Sequence, residues 1–575
     1  MVKRQATLSR PTSAWVAEPH GPISPRKSLP SPLNGLFGSS LEKHQKNHNG
    51  WKHFNSDSKP DSHSNSESLS LEENVMKFVQ SFSLAVTPSF VHHLVRPRSI
   101  QSQKLHTIAA LDGLRGWACL LVFNFHFLFT YTHKTAIGWG FDENNWGIHQ
   151  LPIIHMLISG HVMVTIFFVI SGYVLSYKPL RLLRTHSWEK AFHTLASSTF
   201  RRVLRLYIPS IAGILCVLIA VRLGFYHYAT WVRDEGHTIL GTDEQHPPYF
   251  ISFVEQFKDW YLTVAHLLDP WNWNTYYNFY NPHLWTIPVE FRCSLFLFLT
   301  IVCVSRFRAW IRLTLVSCLI CYCIRWGRWD VVLFLSGMLM AEVDLIHGIW
   351  EDPRPTPLPS SPSIPLLHLH KHEYPRGNDN VIDHTRSSNT HDIENTQYPT
   401  PTMGNYSHHR QGSHRLLWLS IFTVGLFIGS SPNNSPQLTP FYRTLASILT
   451  PSTYPEGHRF LQSLGAVIIV SSINHSPDLQ KVFTNALAQY LGRISYAFYI
   501  VHGPILHSLG YSLMPNIWAL TGKETNAQYC FGFAIGWLIC LPVSIWAADM
   551  FWRGVDAPTV RFSRWVEKCF LVAGL

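Results

Sequence analysis

An arginine and a histidine lie eleven residues apart in one apolar stretch of this sequence. The stretch is LDGLRGWACLLVFNFHFLF, residues 111–129, and it contains Arg115 and His126. Eleven residues are almost three turns of an α-helix, so both side chains lie on one face, about 16 Å apart along the axis. Ionisable groups are costly inside a membrane helix and usually face a protein interior or a water-filled cavity. A structural interpretation stays open, in which the arginine reaches the membrane interface and the histidine bonds a neighbouring helix.

Three more ionisable residues in apolar stretches are predicted at a similar depth. With a rise of 1.5 Å per residue, His126 and His502 each lie ~25 Å from the cytosolic start of their helices. Glu290 lies ~10 Å inside the opposite edge by the same rise, and His161 is at a comparable depth. Random placement would scatter these groups, so we expect them to share one region of the bundle.

Helical spacing places further polar residues on the faces of these groups. His283 and Glu290 are seven residues apart, and Ser495, Tyr499 and His502 follow a spacing of four and three. Residues with these spacings share a helix face. Polar residues in membrane bundles also bond helices together, so a purely structural role stays open for Ser495 and Tyr499.

Two arginines are predicted at the cytosolic end of the third apolar stretch. Arg202 and Arg205 are three residues apart and share a face. Guanidinium groups hold phosphate oxygens with forked hydrogen bonds, so the pair is suited to a phosphorylated ligand. The alternative is an anchor that meets anionic lipid headgroups.

The composition indicates a membrane protein. Of 575 residues, 46% are hydrophobic and only 14% are charged, whereas soluble domains contain about 25% charged residues. The net charge is +11, but Lys and Arg lie at the ends of apolar runs rather than in one stripe, so we expect no nucleic-acid partner. The ten cysteines lack paired metal-ligand spacing, so we expect free thiols and no metal site.

Apolar stretches predict an all-α fold, a polytopic membrane bundle of about ten transmembrane helices. Several stretches are shorter than the ~20 residues that a full span needs, so the count is approximate. The predicted helices cover residues 110–131, 155–177, 203–225, 283–305, 309–326, 329–348, 415–431, 459–473, 485–511 and 529–552.

Polar segments divide the chain into a tail, a membrane domain and a second tail. Residues 1–104 are predicted to be a disordered cytosolic tail, because they are rich in Ser, Pro, His and Asn. The transmembrane domain is predicted over 105–555, with a disordered insertion at 351–414, and 556–575 form a C-terminal tail. Basic residues after the second and fourth helices, and an acidic connection at 226–282, place both termini in the cytosol. The organelle is not indicated.

Five blocks in order resemble the acyltransferase-3 family of integral membrane acyltransferases. Arg115 and His126 match its opening pattern of Arg, ten residues and His. The Arg-x-x-Arg pattern of the family resembles Arg202 and Arg205. The three other blocks are GHVMVTIFFVISGYVLS (160–176), HLWTIPVEFRCSLFLFL (283–299) and GRISYAFYIVHGPI (492–505). The resemblance covers roughly 105–555 apart from the insertion, and the tails and the 226–282 loop resemble fungal members, some of which acylate hydroxyl groups of natural products.

The resemblance implies transfer of an acyl group, acetyl among the candidates, from acyl-CoA to a hydroxyl of a small molecule, sugar or natural product. Acyl-CoA is then a cosubstrate, and no cofactor is expected to stay bound. His126 is expected to be the general base, with Glu290 orienting it or stabilising its imidazolium. Arg202 and Arg205 are expected to bind the CoA phosphates, with Arg115 steering the phosphates or the pantetheine arm. The substrate-binding candidates are His161, His283, Trp285, Ser495, Tyr499 and His502.

Three other interpretations stay open. A multi-pass transporter or flippase would use the intramembrane His and Glu as a proton relay. A different membrane acyltransferase fold would be built around a His with an upstream Asn or Asp. A scaffold without activity would keep the fold alone.

Overall fold

The computed structural model describes residues 76, 87–89, 108–348 and 407–571, except positions 237, 243, 274, 275, 452, 453, 455 and 456. The predicted tail 1–104 lies outside the described residues, apart from those four positions, and so does most of the predicted insertion 351–414. In the described ranges every regular element is a helix. The α-helices are α1 (Ala109–Phe129), α2 (Gly160–Arg184), α3 (Trp188–Arg222), α4 (His227–Glu235), α5 (Phe253–Leu267), α6 (Thr286–Val304), α7 (Ala309–Arg325), α8 (Trp329–His347), α9 (Ser407–Gly429), α10 (Arg443–Leu449), α11 (Gly457–His475), α12 (Pro477–Phe483), α13 (Ala486–Ile505), α14 (Tyr511–Thr521), α15 (Asn526–Phe551) and α16 (Ala557–Phe570).

Each of the ten predicted ranges overlaps one of these helices, but the count of ten membrane spans is not confirmed. Four helical stretches of the described residues are long and apolar enough to cross a membrane: Gly160–Arg184, Trp188–Arg222, Pro282–Val304 and Asn526–Phe570. The all-helical fold therefore agrees with the prediction, whereas the number of spans stays a prediction.

The third helix begins much earlier than its hydropathy indicated. The prediction began at 203, but α3 begins at Trp188. The added turns are polar on one side, and they bury Ala191 and Leu195 on the other. Hydropathy misses such a half-buried helix, because its mean is low although its apolar face packs. Arg202 and Arg205 therefore lie well inside a long helix rather than at its start.

The C-terminal segment that was predicted to be a tail continues the bundle. A π-helical turn, Trp552–Asp556, joins α15 directly to α16. The side chain of Glu567 on α16 forms an ion pair with Arg201 on α3, with Nε and Oε2 3.3 Å apart. Residues 557–570 are thus helical and packed against α3.

Two glycines let α1 and α13 run side by side at backbone contact. A Cβ on Gly116 would lie 2.4 Å from the backbone N of Gly492, and one on Gly492 would lie 2.3 Å from the carbonyl O of Asp112. Further along the pair, the thiol of Cys119 donates to the carbonyl O of Ser495 at 3.2 Å. The offset between contacting residues stays nearly constant, so the helices are parallel. The register therefore sets side by side the residues that lie ten positions after Gly116 on α1 and ten positions after Gly492 on α13.

Candidate active site

His126 and His502, which the register of α1 and α13 sets side by side, belong to a buried group of ionisable side chains. We call this group the histidine cluster: His126, His283, His502, His507 and Glu244. The ring centroids of His502 lie 5.4 Å from His126 and 4.8 Å from His283. All five side chains are at most 18% exposed, and those of His283, His502 and His507 are buried.

Glu244 is the carboxylate of the histidine cluster. Its Oε1 lies 3.1 Å from Nδ1 of His126. Its Oε2 lies 2.8 Å from Nε2 of His507 and 3.3 Å from Nε2 of His283. The imidazoles of His126 and His283 also meet directly, with Nδ1 and Nε2 2.9 Å apart. Burial raises the pKa of Glu244, but His283 and His126 lower it by more, so the pKa is held well below its ordinary value.

Backbone hydrogen bonds position Glu244 although it lies in the connection between α4 and α5. The N–H groups of Gly241 and Thr242 donate to the carbonyls of Thr130 and Phe129 at the end of α1, at 2.9 and 3.0 Å. Two residues after Glu244, the Nε2 of His246 lies 3.1 Å from the carbonyl O of His507. The connection is therefore tied on both sides of Glu244.

His283 and His507 come from two short irregular turns. His283 lies in the 3₁₀ turn Pro282–Trp285 before α6, and His507 lies in the π-helical turn Leu506–Gly510 after α13. A Cβ on Gly503 would lie 2.2 Å from Nδ1 of His283, so only glycine leaves room for that ring. π-helical turns are rare and occur often at functional sites.

The structure gives His126 a different carboxylate partner from the one expected. Glu290 accepts hydrogen bonds from Nη2 of Arg202 at 2.7 Å and from the hydroxyl of Ser171 at 3.1 Å. Seven residues separate it from His283, which is about 10 Å along a helix. The turn that contains His283 enters the histidine cluster, whereas Glu290 lies about two helical turns away from it. The predicted pairing of Glu290 with His126 is therefore replaced by the pairing with Glu244.

The predicted arginines line one cavity, which we call the arginine pocket. Arg115, Arg202, Arg205 and Glu290 border it, and its volume is about 100 Å³. The Nε of Arg202 is buried without a hydrogen-bond partner among the described residues. Three guanidinium groups and one carboxylate line the pocket, and Asp112 pairs with Arg115 from outside the lining, with Oδ1 and Nη1 4.0 Å apart.

A smaller cavity of about 40 Å³ shares Arg115, Ser171 and Glu290 with the arginine pocket and is also lined by Tyr499. The Tyr499 hydroxyl bonds the hydroxyl of Thr286 at 2.5 Å and donates to the carbonyl O of His283. Ser495 lines the same cavity, with its hydroxyl bonded to the carbonyl of Gly492. Tyr499 thus lies between this cavity and the histidine cluster.

Two predicted substrate-binding residues, His161 and Trp285, lie outside the histidine cluster and line neither of these two cavities. The Nδ1 of His161 lies 2.7 Å from Nδ2 of Asn433. The ring of Trp285 packs against Trp329 and the guanidinium of Arg459. The structure therefore groups His126, His283 and His502, and it separates from them the set around Glu290 and the arginines.

Sequence reasoning missed Glu244 and His507. Glu244 is one of several acidic residues in the 226–282 connection, and it served only as evidence for topology. His507 follows His502 by five residues, which are not on one face of a regular α-helix. A histidine within an apolar run was the only available signal for His507, and none distinguished Glu244 from its acidic neighbours.

The described residues define a class, a helical bundle with four stretches long and apolar enough to cross a membrane, an ionisable cluster inside it and a basic pocket beside it. Residues 108–351 match the acyltransferase-3 family model, which is described as an acyltransferase domain. Members of that family are membrane proteins. The resemblance predicted from the sequence is confirmed.

Fungal acyltransferases are similar to this chain over most of its length. O-acetyltransferase PaAT-1 of Phomopsis amygdali is 29% identical over 514 residues, which cover 84% of this chain and 88% of the relative. Acyltransferase clz18 of Cochliobolus lunatus is 26% identical over 80% of this chain and 94% of the relative. Acyltransferase R4 of Phoma sp. is 26% identical, covering 81% and 96%. No solved structure gives a significant match. The family and these relatives support an O-acyltransferase.

Proposed function

We propose that this protein transfers an acyl group from acyl-CoA to a hydroxyl of a small-molecule, sugar or natural-product acceptor, with His126 as general base. The observation that carries the proposal is the contact of 3.1 Å between Nδ1 of His126 and Oε1 of Glu244. A carboxylate only accepts hydrogen bonds, so this contact places the proton of His126 on Nδ1 and leaves the lone pair on Nε2.

The reaction follows from that tautomer. Nε2 of His126 takes the proton of the acceptor hydroxyl as its oxygen forms a bond to the thioester carbonyl carbon. The tetrahedral intermediate then collapses, the C–S bond breaks, and the CoA sulfur receives the proton from Nε2. Glu244 stabilises the imidazolium between these steps, the role that a carboxylate has in a catalytic triad. The hydroxyl of Tyr499 is the proposed donor to the oxyanion, once it leaves the carbonyl O of His283.

The arginine pocket supports a CoA donor. CoA carries phosphates, and three guanidinium groups with one unpartnered Nε are suited to bind them. Arg115 and His126 are about 16 Å apart along α1. A donor bound by its phosphates therefore needs a long arm to bring its acyl carbon to His126. The pantetheine arm of CoA provides that length, whereas a compact donor such as an acyl phosphate does not.

The route between the two sites is narrow. A cavity of about 40 Å³ holds no more than a few water molecules. We propose that the side chain of Tyr499 rotates to admit the thioester, because it lines this cavity and its hydroxyl bonds Thr286 beside the histidine cluster. Arg202 would exchange Glu290 for a CoA phosphate in the same step.

The names and sources of the similar proteins favour a particular acyl group and acceptor. One similar protein is named an O-acetyltransferase, which favours acetyl-CoA as the first donor to test. The fungal source of the three relatives favours a natural-product hydroxyl.

The test is release of free CoA by the purified protein in detergent. A panel of acyl-CoAs is incubated with and without a metabolite extract of the host cell, and thiol release is measured. We expect release that depends on the extract, and we expect His126→Ala to abolish it. His133→Ala is the matched control, because His133 is an exposed histidine just beyond α1. Undiminished release in a folded His126→Ala variant would remove His126 from the mechanism, and solute movement across vesicles without thioester loss would favour the transporter.

A further inference from the structure

The inward-facing atoms of the histidine cluster have a surplus of lone pairs. The Nδ1 of His502 lies 3.1 Å from the carbonyl O of Phe498, so Nδ1 carries the proton. Its Nε2 therefore carries a lone pair, and that atom is buried with no hydrogen-bond partner among the described residues. The side chain is 1% exposed, so water does not reach it freely.

His283 shows the same arrangement. Its Nδ1 lies 3.3 Å from Oδ1 of Asn281, and the Nδ2 of Asn281 donates to the carbonyl O of Ile500 at 2.8 Å, which fixes the orientation of that amide. Nδ1 of His283 thus carries the proton, and in the neutral ring Nε2 is a lone pair. That Nε2 lies 3.3 Å from Oε2 of Glu244, which is also an acceptor. Two acceptors at this separation repel each other unless a cation lies between them, and the nearby donor, Nδ1 of His126 at 2.9 Å from this Nε2, is shared with Oε1 of Glu244.

We propose that the histidine cluster binds one zinc ion through Oε2 of Glu244 and the Nε2 atoms of His283 and His507, and that a water on the ion donates to Nε2 of His502. The atoms of Glu244, His283 and His507 lie within 4.8 Å of one another, and so do those of His283, His502 and His126. Ligands that share a zinc ion at bond lengths of about 2.0–2.1 Å are themselves roughly 3 Å apart. The separations of 2.8 and 3.3 Å at Oε2 of Glu244 fit this value.

Two further features suit a metal rather than hydrogen bonds alone. Metal-binding histidines usually donate their second ring N–H to a carbonyl or amide oxygen, as His283 does here. Hydrogen bonds from imidazoles would satisfy Glu244, but they leave Nε2 of His502 without a partner. In the described part of the chain, the ion pairs of Glu244 are with histidines, so no Lys or Arg supplies its countercharge. Imidazole ligands with one carboxylate and no thiolate match zinc better than magnesium or calcium.

The proposal leaves His126 outside the ligand set. The two oxygens of Glu244 have different partners, since Oε1 faces His126 and Oε2 faces His283 and His507. The metal would hold Glu244 in place and thereby orient His126, so it has a positioning role. The sequence predicted no metal because cysteine spacing was the criterion, whereas these ligands come from three separate segments.

The test is metal content of the full-length protein purified in detergent, measured by inductively coupled plasma mass spectrometry. We expect about one zinc ion per chain, and occupancy lower by about tenfold or more in His507→Gln and His502→Gln. The control His133→Gln, an exposed histidine, keeps its zinc. Size-exclusion profiles show which variants fold.

Cobalt gives a second readout that does not depend on activity. Protein stripped with a chelator and loaded with Co²⁺ should show the visible absorption of a tetrahedral nitrogen and oxygen site, and His507→Gln should not. A metal-free wild-type protein whose melting temperature and spectrum do not respond to Zn²⁺ or Co²⁺ would overturn the proposal, and so would equal zinc in the wild type and both variants. His126→Ala should lose acyl transfer and keep its zinc, so the metal site and the proposed base can fail separately.

Discussion

Replacement of Glu244 by glutamine isolates the role of the carboxylate at nearly constant shape. The carboxylate accepts from Nδ1 of His126 through one oxygen and faces His283 and His507 with the other. An amide has one oxygen and one NH₂ group, so it cannot accept at both positions. If the NH₂ group faces His126, Nδ1 of His126 becomes the acceptor and the proton moves to Nε2. A general base needs its lone pair on Nε2, so this tautomer cannot accept the proton of the acceptor hydroxyl.

The magnitude follows from the loss of the correct tautomer. In a serine protease the equivalent aspartate-to-asparagine change lowers kcat by about 10⁴-fold. Glu244 is 11% exposed and the contact to His126 is 3.1 Å, so we expect a smaller loss in kcat, about 10³-fold, which is about 4 kcal/mol of transition-state stabilisation. The KM for acyl-CoA should change little, because the arginine pocket does not include Glu244.

The assay is the initial rate of CoA thiol release at saturating acyl-CoA, with zinc content measured on the same preparations. Glu235→Gln is the matched control, because Glu235 is an exposed acid at the end of α4 in the same part of the chain. A folded Glu244→Gln variant with kcat within about threefold of wild type, less than 0.7 kcal/mol, would refute the proposed role of Glu244.

Two further predictions concern the donor site and the helix contact. Replacing Arg202 and Arg205 together by alanine should raise the KM for acyl-CoA by about 100-fold or more, because two charge-assisted bonds of about 1.5 kcal/mol or more each are lost; an equal rise in the KM for the acceptor would indicate a structural role. Replacing Gly492 by alanine should lower the melting temperature in detergent, because the new Cβ would lie 2.3 Å from the carbonyl O of Asp112 and overpacking costs about 1–3 kcal/mol. Gly554→Ala is the control, since its Cβ would have no atom within 4 Å, and equal melting of the two variants would contradict the close contact.

Hydropathy and helical spacing predicted much of the fold and part of the candidate site. Apolar stretches located the helices, although the start of α3 was wrong by fifteen residues because its first turns are polar on one face. The grouping of His126 with His502 follows from depth along two parallel helices, and both residues lie in the histidine cluster. Depth alone misplaced Glu290, because it gives height in the bundle and not the neighbour across it.

The sequence by itself determined the helical membrane class, the family and the positions of Arg115, His126, Arg202 and Arg205 on their helices. These properties depend on hydropathy and on a period of 3.6 residues, which are local. Only the tertiary structure decided that Glu244 meets His126. That contact depends on backbone hydrogen bonds from an irregular connection to the end of α1, and such long-range bonds leave no periodic signal in the chain.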